Sequence, residues 1–376
     1  MRRRCLLLAL SVVAAACAPP PSTPEASGPP VALERIGRIG CGDCDDARQN
    51  TPVVLAILDD ERIAVLDGFE PFVRVFDSDG DLQLFFGRKG EGPGELGQAL
   101  PGGAYLPGLW LFGNELGGVT VLDIFPFSLE VFDGEGNFVT RTETGLSDAF
   151  PTAQAYDSAT RSYYRISFSF GPRADESRRI SRCRFSAGVE ADCDDFADPV
   201  PFLQQEGMPG DSLGSLVLAA GPDGSLVVAN VGSYEIWVLD DQGEVVGRTG
   251  RDLPFPVKSA EEIESERQAW TRLGRPEREI DPNRLHIASY GLQVDGDGRI
   301  WVLTGRYGED NSVFDVFAPD GTYLAEVVID AVVRRSSTGI TPFVARGELL
   351  AAAAQRPEGD NEVWVYRIQA PVAPGE

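Results

Sequence analysis

The chain has 376 residues and a formal net charge of −25 at neutral pH. A surface this acidic repels phosphate backbones, so the composition argues against nucleic acid as a partner. The chain contains a single histidine, His286, which argues against zinc sites and catalytic centres that need several histidines.

The first 17 residues have the pattern of an export signal. Three arginines precede an apolar run that is too short to span a bilayer, for which about 20 residues are needed. The run ends in AAAC (14–17), which resembles a bacterial lipobox, whose cysteine is lipidated. An ordinary secretory signal cut at an Ala-x-Ala site is the alternative. We therefore predict a signal peptide over residues 1–17, lipidation of Cys17, and a location on the periplasmic or cell-surface side of a membrane.

The next segment, residues 18–30, reads APPPSTPEASGPP and cannot bury a core. It predicts an extended tether between the lipid anchor and a folded domain over residues 31–376. No later hydrophobic run is long enough to cross a bilayer, so the predicted contact with the membrane is through the N-terminal lipid only.

Four cysteines follow the leader, and an even number in an exported chain suggests disulfide bonds. Cys183 and Cys193 flank a short turn-like segment and are predicted to pair. Cys41 and Cys44 have the C-x-x-C spacing of redox pairs, but polar residues rather than a helix follow them. We interpret this second pair as a structural bridge.

Four short segments of the chain are alike and indicate an internal repeat. Each is an alternating apolar strand, a turn of the D-x-x-G or P-D-G type, and a second alternating strand, which is the pattern of a β-hairpin. Further short strands lie upstream, so each unit offers about four strands. The hairpins begin at VRVFDSDG (73–80), LEVFDGEG (129–136), IWVLDDQG (236–243) and FDVFAPDG (314–321).

Repeated units of this kind predict an all-β domain, a six-bladed β-propeller of four-stranded antiparallel blades. The strand-like VALERIGRI (31–39) is expected to complete the sixth blade, which closes the ring and removes an exposed edge. We expect the domain to be a monomer. The predicted units span residues 55–98, 99–148, 149–213, 214–256, 285–336 and 337–370.

One segment, residues 258–282, breaks the strand pattern and predicts a helical insertion between blades 4 and 5. Ser259 and Glu262 have the spacing of a capping box, and Gly274 with Pro276 supplies a stop signal. The simpler interpretation is an amphipathic helix on the propeller surface. The alternative is a lid over one mouth of the ring.

The glycine-rich segment GRKGEGPGEL (87–96) raises the question of a phosphate-binding loop. A Walker A loop has a lysine after its last glycine, but Pro93 stands at that position and no helix pattern follows. The segment is therefore predicted to be a connector between two blades.

The same connector carries a family resemblance. GPGEL (92–96) resembles the G-x-G-P-G-Q-F connector of NHL repeats, and residues 224–240 and 298–304 resemble strand portions of that repeat. The chain is thus similar to bacterial six-bladed propeller lipoproteins with NHL-like or TolB-like blades, although no unit carries the full NHL pattern. The resemblance implies a fold much more specifically than a function.

Two acidic segments, DSDGD (77–81) and DGDG (295–298), are similar to calcium loops but lack the glutamate at the twelfth position. Asp-Gly is also an ordinary turn pair, so we interpret both as turns. Lactonases of the SMP-30 type, which this fold resembles, bind a metal with Glu, Asp and Asn at the channel mouth, and Asn230 follows an inner-type strand.

Motifs that indicate catalysis are out of context in this chain. His286 lies in a lead-in strand and is interpreted as structural, and GDSLG (210–214) lacks the following helix of a nucleophile elbow. We predict no catalytic, cofactor or metal residues. The preferred function is a non-catalytic scaffold that binds a protein, peptide or glycan. The alternative is a six-bladed hydrolase or lactonase with carboxylate-bound calcium in its central channel.

Overall fold

The fold is known from a computed structural model that describes most of the predicted domain. The described residues are 31–40, 52–67, 72–90, 92–99, 105–106, 109–123, 128–143, 150–168, 180–185, 192–198, 216–272, 279–333, 343–355 and 361–369. The predicted leader and tether, Cys17, Cys41, Cys44 and the helix stop at Gly274 and Pro276 lie outside them.

The described strands form a ring of six four-stranded antiparallel blades. The first strand in the chain is β1 (Ala32–Ile39). Blade 1 contains β2 (Pro52–Ile57), β3 (Ile63–Asp67), β4 (Val73–Phe76) and β5 (Leu82–Phe86), and the short strands β6 (Gln98–Ala99) and β7 (Tyr105–Leu106) follow it. Blade 2 contains β8 (Leu109–Gly113), β9 (Val119–Asp123), β10 (Ser128–Phe132) and β11 (Phe138–Glu143). Blade 3 contains β12 (Phe150–Asp157), β13 (Ser162–Phe168), β14 (Ile180–Arg184) and β15 (Asp192–Ala197).

The second half of the ring continues the same order. Blade 4 contains β16 (Leu216–Ala220), β17 (Leu226–Asn230), β18 (Glu235–Leu239) and β19 (Val245–Gly250). Blade 5 contains β20 (Ile287–Val294), β21 (Ile300–Tyr307), β22 (Ser312–Phe317) and β23 (Tyr323–Ile329). Blade 6 contains β24 (Phe343–Arg346), β25 (Leu349–Gln355) and β26 (Asn361–Gln369). The predicted fold class, with six blades of four antiparallel strands, is confirmed.

The predicted hairpin turns join the third and fourth strands of four blades. Each ends on a glycine in the left-handed region of backbone space, which a residue with a side chain rarely adopts. A D-x-x-G or P-D-G turn followed by a strand therefore identified the outer edge of these blades. The glycines are Gly80 (φ 99°), Gly136 (80°), Gly243 (86°) and Gly321 (84°).

The hydrophobic core is divided among the interfaces between neighbouring blades. Side chains alternate between the two faces of a strand, so each blade buries one set against the preceding blade and the other set against the following one. On β13, Tyr164 packs with blade 4, whereas Tyr163 packs with blade 2. Six such apolar clusters surround the ring in the described residues. No blade can bury both faces alone, and the ring must therefore be closed.

Strand β1 closes the ring, as the sequence predicts. It pairs antiparallel with β26 and becomes the outermost strand of blade 6. Arg38 donates from Nη2 to the buried carboxylate of Glu362, 2.6 Å away, and Ile39 is fully buried. The N-terminal and C-terminal strands of the domain thus share one blade, which leaves no gap between the first unit and the last.

The predicted insertion contains helix α1 (Ala260–Arg272), which lies between blades 4 and 5. The capping box is formed: the Ser259 N–H donates to Glu262 Oε2 at 2.7 Å, and the Glu262 N–H donates to Ser259 Oγ at 3.2 Å. The helix is shorter than the 258–282 segment because residues 256–258 pair with residues 282–284 to form a two-stranded neck.

Charged contacts of Glu262 and Glu266 hold helix α1 on the surface, the latter with Lys258 of the neck at 2.9 Å. None of its residues is buried, and Glu262 accepts hydrogen bonds from Arg284 at 2.6 Å and from the hydroxyl of Tyr307. Burial raises the pKa of Glu262, but these bonds and the Ser259 N–H outweigh it and bring the pKa to about 2. Among the described residues no helix is long and apolar enough to cross a bilayer.

A disulfide bond joins the third and fourth strands of blade 3. Cys183 on β14 lies directly opposite Cys193 on β15, and their Cα atoms are 4.0 Å apart. Cys183 is fully buried and packs against Leu122 and Leu129 of blade 2. The bond therefore lies at the interface between blades 2 and 3.

Candidate functional site

The innermost strands of all six blades surround a central channel with a cavity of about 260 Å³. Much of the wall is apolar, with Leu55, Leu111, Val217 and Val344 contributed by four different blades. Concave, mostly apolar cavities with a few polar groups are the usual form of small-molecule sites. The polar lining residues are Gln154, Tyr156, Asp157, Ser158, Tyr290, Gln293, Asp295 and Arg346.

At one end of the channel the polar groups are used by the turns that follow the inner strands. Asp157 accepts the Ala159 N–H at 2.9 Å and the Thr160 hydroxyl at 2.5 Å. Arg346 donates to the Ile57 carbonyl at 3.2 Å and forms an ion pair with Asp59 of blade 1. These side chains hold turns and neighbouring blades in place, which leaves them little capacity to bind a ligand.

Asp295 of the predicted DGDG segment is bound in the same way. Its Oδ1 accepts the N–H groups of Asp297 and Arg299, each at 3.0 Å, and its Oδ2 accepts from Trp301 Nε1 at 2.9 Å. Arg299 Nε also donates to Oδ2, at 2.7 Å. The segment forms a turn, and its buried carboxylate already has four donors.

The other calcium-like features of the sequence are also turns. In DSDGD, Asp77 Oδ1 accepts the N–H groups of Asp79 and Asp81 at 3.1 and 2.8 Å, in the outer hairpin of blade 1. Asn230 accepts the Gly232 N–H at 2.9 Å, at the end of β17. Within the residues that the structure describes, no group of three or more His, Cys, Asp or Glu side chains could hold a metal ion.

His286, interpreted from the sequence as a structural residue of a lead-in strand, directly precedes β20 and packs between blades 4 and 5. Its ring stacks on Phe255 with centroids 4.1 Å apart and on Tyr234 with centroids 6.0 Å apart. Burial, with a smaller effect from Arg306, lowers the pKa of His286, so the ring is neutral at neutral pH. The residue does not line the channel. GDSLG (210–214) lies outside the described residues.

Polar side chains of blade 3 carry buried donors without an acceptor, and among them Gln154 lines the channel whereas Arg165 does not. Gln154 on β12 is directly opposite Arg165 on β13, so both side chains lie on the same face of the sheet. Tyr163 donates its hydroxyl to Gln154 Oε1 at 2.6 Å. Gln154 Nε2 and both Nε and Nη1 of Arg165 are buried, and none has a hydrogen-bond acceptor in the described structure.

Tyr290 of blade 5 contributes to the same region of the channel. It lies in a bulge of β20, where the register with β21 shifts, and its φ of 58° is rare for a residue with a bulky side chain. Burial raises the pKa of the Tyr290 phenol. Burial also raises the pKa of Tyr163, Arg165 lowers it, and Tyr290 raises it further.

Sequence analysis did not identify Gln154, Arg165 or Tyr290. The sequence offered only a weak signal for polar groups in this blade, namely an arginine within the aromatic strand SYYRISF (162–168). That this arginine lies opposite a glutamine of the inner strand is seen only in the structure. A charged residue in such a strand is unusual and indicates either an ion pair or a ligand.

The glycine-rich connector binds protein carboxylates rather than phosphate. The Gly97 N–H donates to Asp123 Oδ2 at 2.6 Å, and the Gly94 N–H donates to Glu130 Oε2 at 3.4 Å. Both carboxylates belong to blade 2, and Leu96 between the two glycines is fully buried. The backbone donors that a phosphate would need are thus used to fasten the connector to the second blade.

This contact leads to a pH-dependent expectation for Glu130. Burial raises the pKa of Glu130 to about 7, and Arg141 lowers it only in part. This pKa lies above the value of 4.5 in the unfolded chain, so the folded state favours the protonated form of Glu130. The contribution of this group to the unfolding free energy is therefore complete below pH 4.5 and is lost as the pH rises through 7. Glutamine stays neutral at every pH, so we expect Glu130→Gln to raise the unfolding free energy relative to wild type at pH 8. This difference from wild type should be about 2–3 kcal/mol larger at pH 8 than at pH 4.

Urea unfolding at the two pH values measures this difference. Glu135→Gln, an exposed substitution in the neighbouring turn, is the control and should show no such dependence. An equal effect of Glu130→Gln at both pH values would contradict the expectation.

Comparison with known proteins adds a distant structural similarity. No family model and no curated protein matches the sequence. Similar solved structures include an exported-protein candidate from Bacteroides fragilis, 11% identical with a TM-score of 0.49, covering 90% of this chain and 96% of that chain. A DUF4221 family member from Bacteroides vulgatus is 9% identical, with a TM-score of 0.48 over 92% and 97% of the chains. A gluconolactonase from Xanthomonas campestris is 15% identical, with a TM-score of 0.43 over 94% and 99%. We base no functional assignment on similarities this low.

Proposed function

We propose that the chain is a non-catalytic binding protein, exported and held at a membrane by lipid on Cys17, and that its ligand site is the central channel. The observation that supports the channel is its cavity of about 260 Å³, which the inner strands of all six blades line with mostly apolar side chains and a few polar ones. Concave cavities of this kind are the usual form of sites for small ligands.

The size of the channel favours a small ligand over an extended one. Its cavity of about 260 Å³ is below the range of roughly 300–1,000 Å³ that is typical of sites for drug-sized molecules. A folded protein or a long glycan cannot enter a space of this size. The scaffold function expected from the sequence is therefore narrowed here to the binding of a small molecule, or of a short terminal group of a larger one.

The lactonase alternative requires carboxylate and amide oxygens that are free to bind calcium. Asp157 and Asp295 are the carboxylates in the channel lining, and both are used by turns. Asn230 caps a turn at the end of β17. The described residues thus do not fit a calcium centre in the channel, and we derive no reaction step through one.

The dependence of thermal stability and lactone hydrolysis on calcium distinguishes the proposed binding protein from a lactonase. We expect the melting temperature of the protein to agree within about 1 °C in excess calcium and in excess chelator, because a ligand stabilises only a fold that binds it. Hydrolysis of gluconolactone should not exceed the background rate in either buffer. A rise of several degrees in calcium, together with lactone hydrolysis, would support the lactonase and contradict the binding protein.

Lipid anchoring is tested at Cys17. We expect the wild-type chain, expressed in a bacterial host, to incorporate labelled fatty acid and to partition into the detergent phase. The Cys17→Ser variant should do neither, because the thiol is the acceptor of the lipid. Cys5→Ser, within the same leader, is the matched control and should behave as wild type. Equal labelling of wild type and Cys17→Ser would contradict a lipid on this residue.

A further inference from the structure

The channel lining combines aromatic rings with polar groups that carry no charge. Trp110, Tyr156 and Tyr290 supply rings from blades 2, 3 and 5, and Gln293 of blade 5 supplies an amide. The indole N–H of Trp110, the hydroxyl of Tyr290 and the amide of Gln293 have no hydrogen-bond partner within the described part of the chain. These three side chains are half-buried, and their polar atoms are not sealed inside the protein as Gln154 Nε2 is. They can therefore bind a ligand in the cavity.

The charged side chains of the lining are already paired within the protein. Asp157 and Asp295 accept from donors of their own turns, and Arg346 pairs with a carboxylate and a carbonyl group of blade 1. The chain as a whole has a formal charge of −25, which disfavours anionic ligands. Within the described residues the lining therefore suits an uncharged ligand.

The inner strands add main-chain donors and acceptors to the wall. In each blade the innermost strand is the last strand of its sheet, so its channel-side edge pairs with no other described strand. Such an edge presents a row of N–H and C=O groups without strand partners. The hydroxyl of a tyrosine and the amide of a glutamine also both donate and accept. A ligand with several groups that each donate and accept is therefore favoured over one with few polar atoms.

Two of the aromatic side chains lie on opposite walls of the channel at a similar depth. Asn114 in blade 2 and Asp295 in blade 5 begin equivalent turns, since the N–H of each donates to the carbonyl oxygen four residues later at 3.0 Å. Trp110 precedes the first turn by four residues, and Tyr290 precedes the second by five, within the bulge of β20. Blades 2 and 5 are opposite each other in a ring of six. A ligand at this depth can therefore contact an aromatic ring on either side.

We infer that the channel binds one uncharged sugar, either a free monosaccharide or the terminal sugar of a glycan. Its ring lies between Trp110 and Tyr290, and its hydroxyl groups bond to Gln293 and to the inner strand edges. The apolar C–H faces of a sugar ring pack on aromatic side chains, and each hydroxyl group donates and accepts. A flat aromatic molecule would contact the rings but leave most of the polar wall without partners. This ligand class rests on the proposed binding function and adds the chemistry of the ligand to it.

The melting temperature of the full chain carrying Cys17→Ser, measured with and without added sugar, tests the inference. The probes are glucose, galactose, mannose and N-acetylglucosamine, with gluconate as an anionic comparison and benzamide as a flat aromatic one. We expect at least one sugar to raise the melting temperature by about 2 °C or more at saturating concentration. Gluconate and benzamide should have no effect at the same concentration.

Variants of the lining test the position of the sugar. Tyr290 has a φ of 58°, which glycine adopts freely, so Tyr290→Gly removes the ring without backbone strain and should abolish the increase. Gln293→Leu should weaken the affinity by about 3- to 10-fold, through the loss of a hydrogen bond. Phe85→Ala, which removes an exposed ring on the outer strand of blade 1, is the matched control and should keep the full response. Cooperative unfolding of ligand-free Tyr290→Gly and Gln293→Leu shows that a lost response is not a folding defect.

The two sources of the sugar differ at the anomeric carbon, which a glycan uses for its linkage. Binding of the methyl glycoside, and of a disaccharide that ends in the same sugar, indicates a glycan terminus. Binding of the free sugar alone indicates a monosaccharide. Either result supports a sugar site in the channel.

Other results would overturn the inference. No stabilisation by any of the sugars, or equal stabilisation of the parent and Tyr290→Gly, would exclude a sugar at this site. Stabilisation by gluconate alone would replace the uncharged sugar with an anion. Stabilisation by benzamide alone, lost in Tyr290→Gly, would refute the sugar but leave the proposed binding function intact.

Discussion

Removal of residues 1–39 is expected to reduce the unfolding free energy by about 5 kcal/mol or more, whereas removal of residues 1–30 should leave it unchanged. The longer deletion removes β1, which pairs with β26 as the outermost strand of blade 6. Ile39 would leave its fully buried position, and the buried carboxylate of Glu362 would lose Arg38. For a domain whose total stability is typically 5–15 kcal/mol, such a loss approaches unfolding.

Urea denaturation of the two truncated chains measures the difference, because they differ only by the closing strand and one flanking residue. We also expect the shorter chain to associate in size-exclusion chromatography, since the edge of β26 becomes free to pair with another chain. Equal denaturation midpoints for the two chains would show that β1 is dispensable and that the ring does not depend on this closure.

Replacement of Asp315 with alanine is expected to destabilise the protein by about 3–5 kcal/mol. Asp315 is fully buried at the interface of blades 4 and 5, where it accepts from Arg251 and Arg306 at 2.7 Å each and from the hydroxyl of Tyr234. Removing the carboxylate leaves two guanidinium groups close together, with the half-exposed Glu326 as the carboxylate that still pairs with both. The cost is therefore much larger than that of a surface ion pair.

The control for this substitution is Asp297→Ala, which removes an exposed ion pair with Arg299. It should change the unfolding free energy by less than about 0.5–1 kcal/mol. Chemical denaturation of both variants at neutral pH makes the comparison. Similar losses for Asp315→Ala and Asp297→Ala would contradict the view that the buried network holds blades 4 and 5 together.

The architecture was largely predictable because its signals are local and repeated. The turn glycines Gly80 and Gly136, and their counterparts in later blades, mark hairpins that any six-bladed ring needs. The capping box at Ser259 and Glu262 is equally local, since both partners lie within one helical turn. Helix α1 covers only part of the predicted 258–282 insertion, and the neck, with strand-like pairs between residues about 26 apart in sequence, had no local signal.

The candidate site could not be predicted, because its parts come together only in the folded ring. Gln154 lines the channel from blade 3, and Tyr290 reaches it from blade 5 through an irregular bulge. A single sequence does not specify the register between distant strands. Conversely, the acidic motifs visible in the sequence, such as DGDG (295–298), bind their own backbone amides.

The ligand carried by the purified protein tests the proposed channel site most directly. The full chain with Cys17→Ser can be purified from its expression host under mild conditions and analysed by native mass spectrometry, followed by identification of the released molecule. We expect a small molecule in the parent protein and in the surface variant Arg248→Met, and its absence in Val344→Trp, whose larger side chain fills part of the channel. Retention of the same molecule by Val344→Trp, or a parent protein that carries no small molecule, would contradict a ligand site in the central channel.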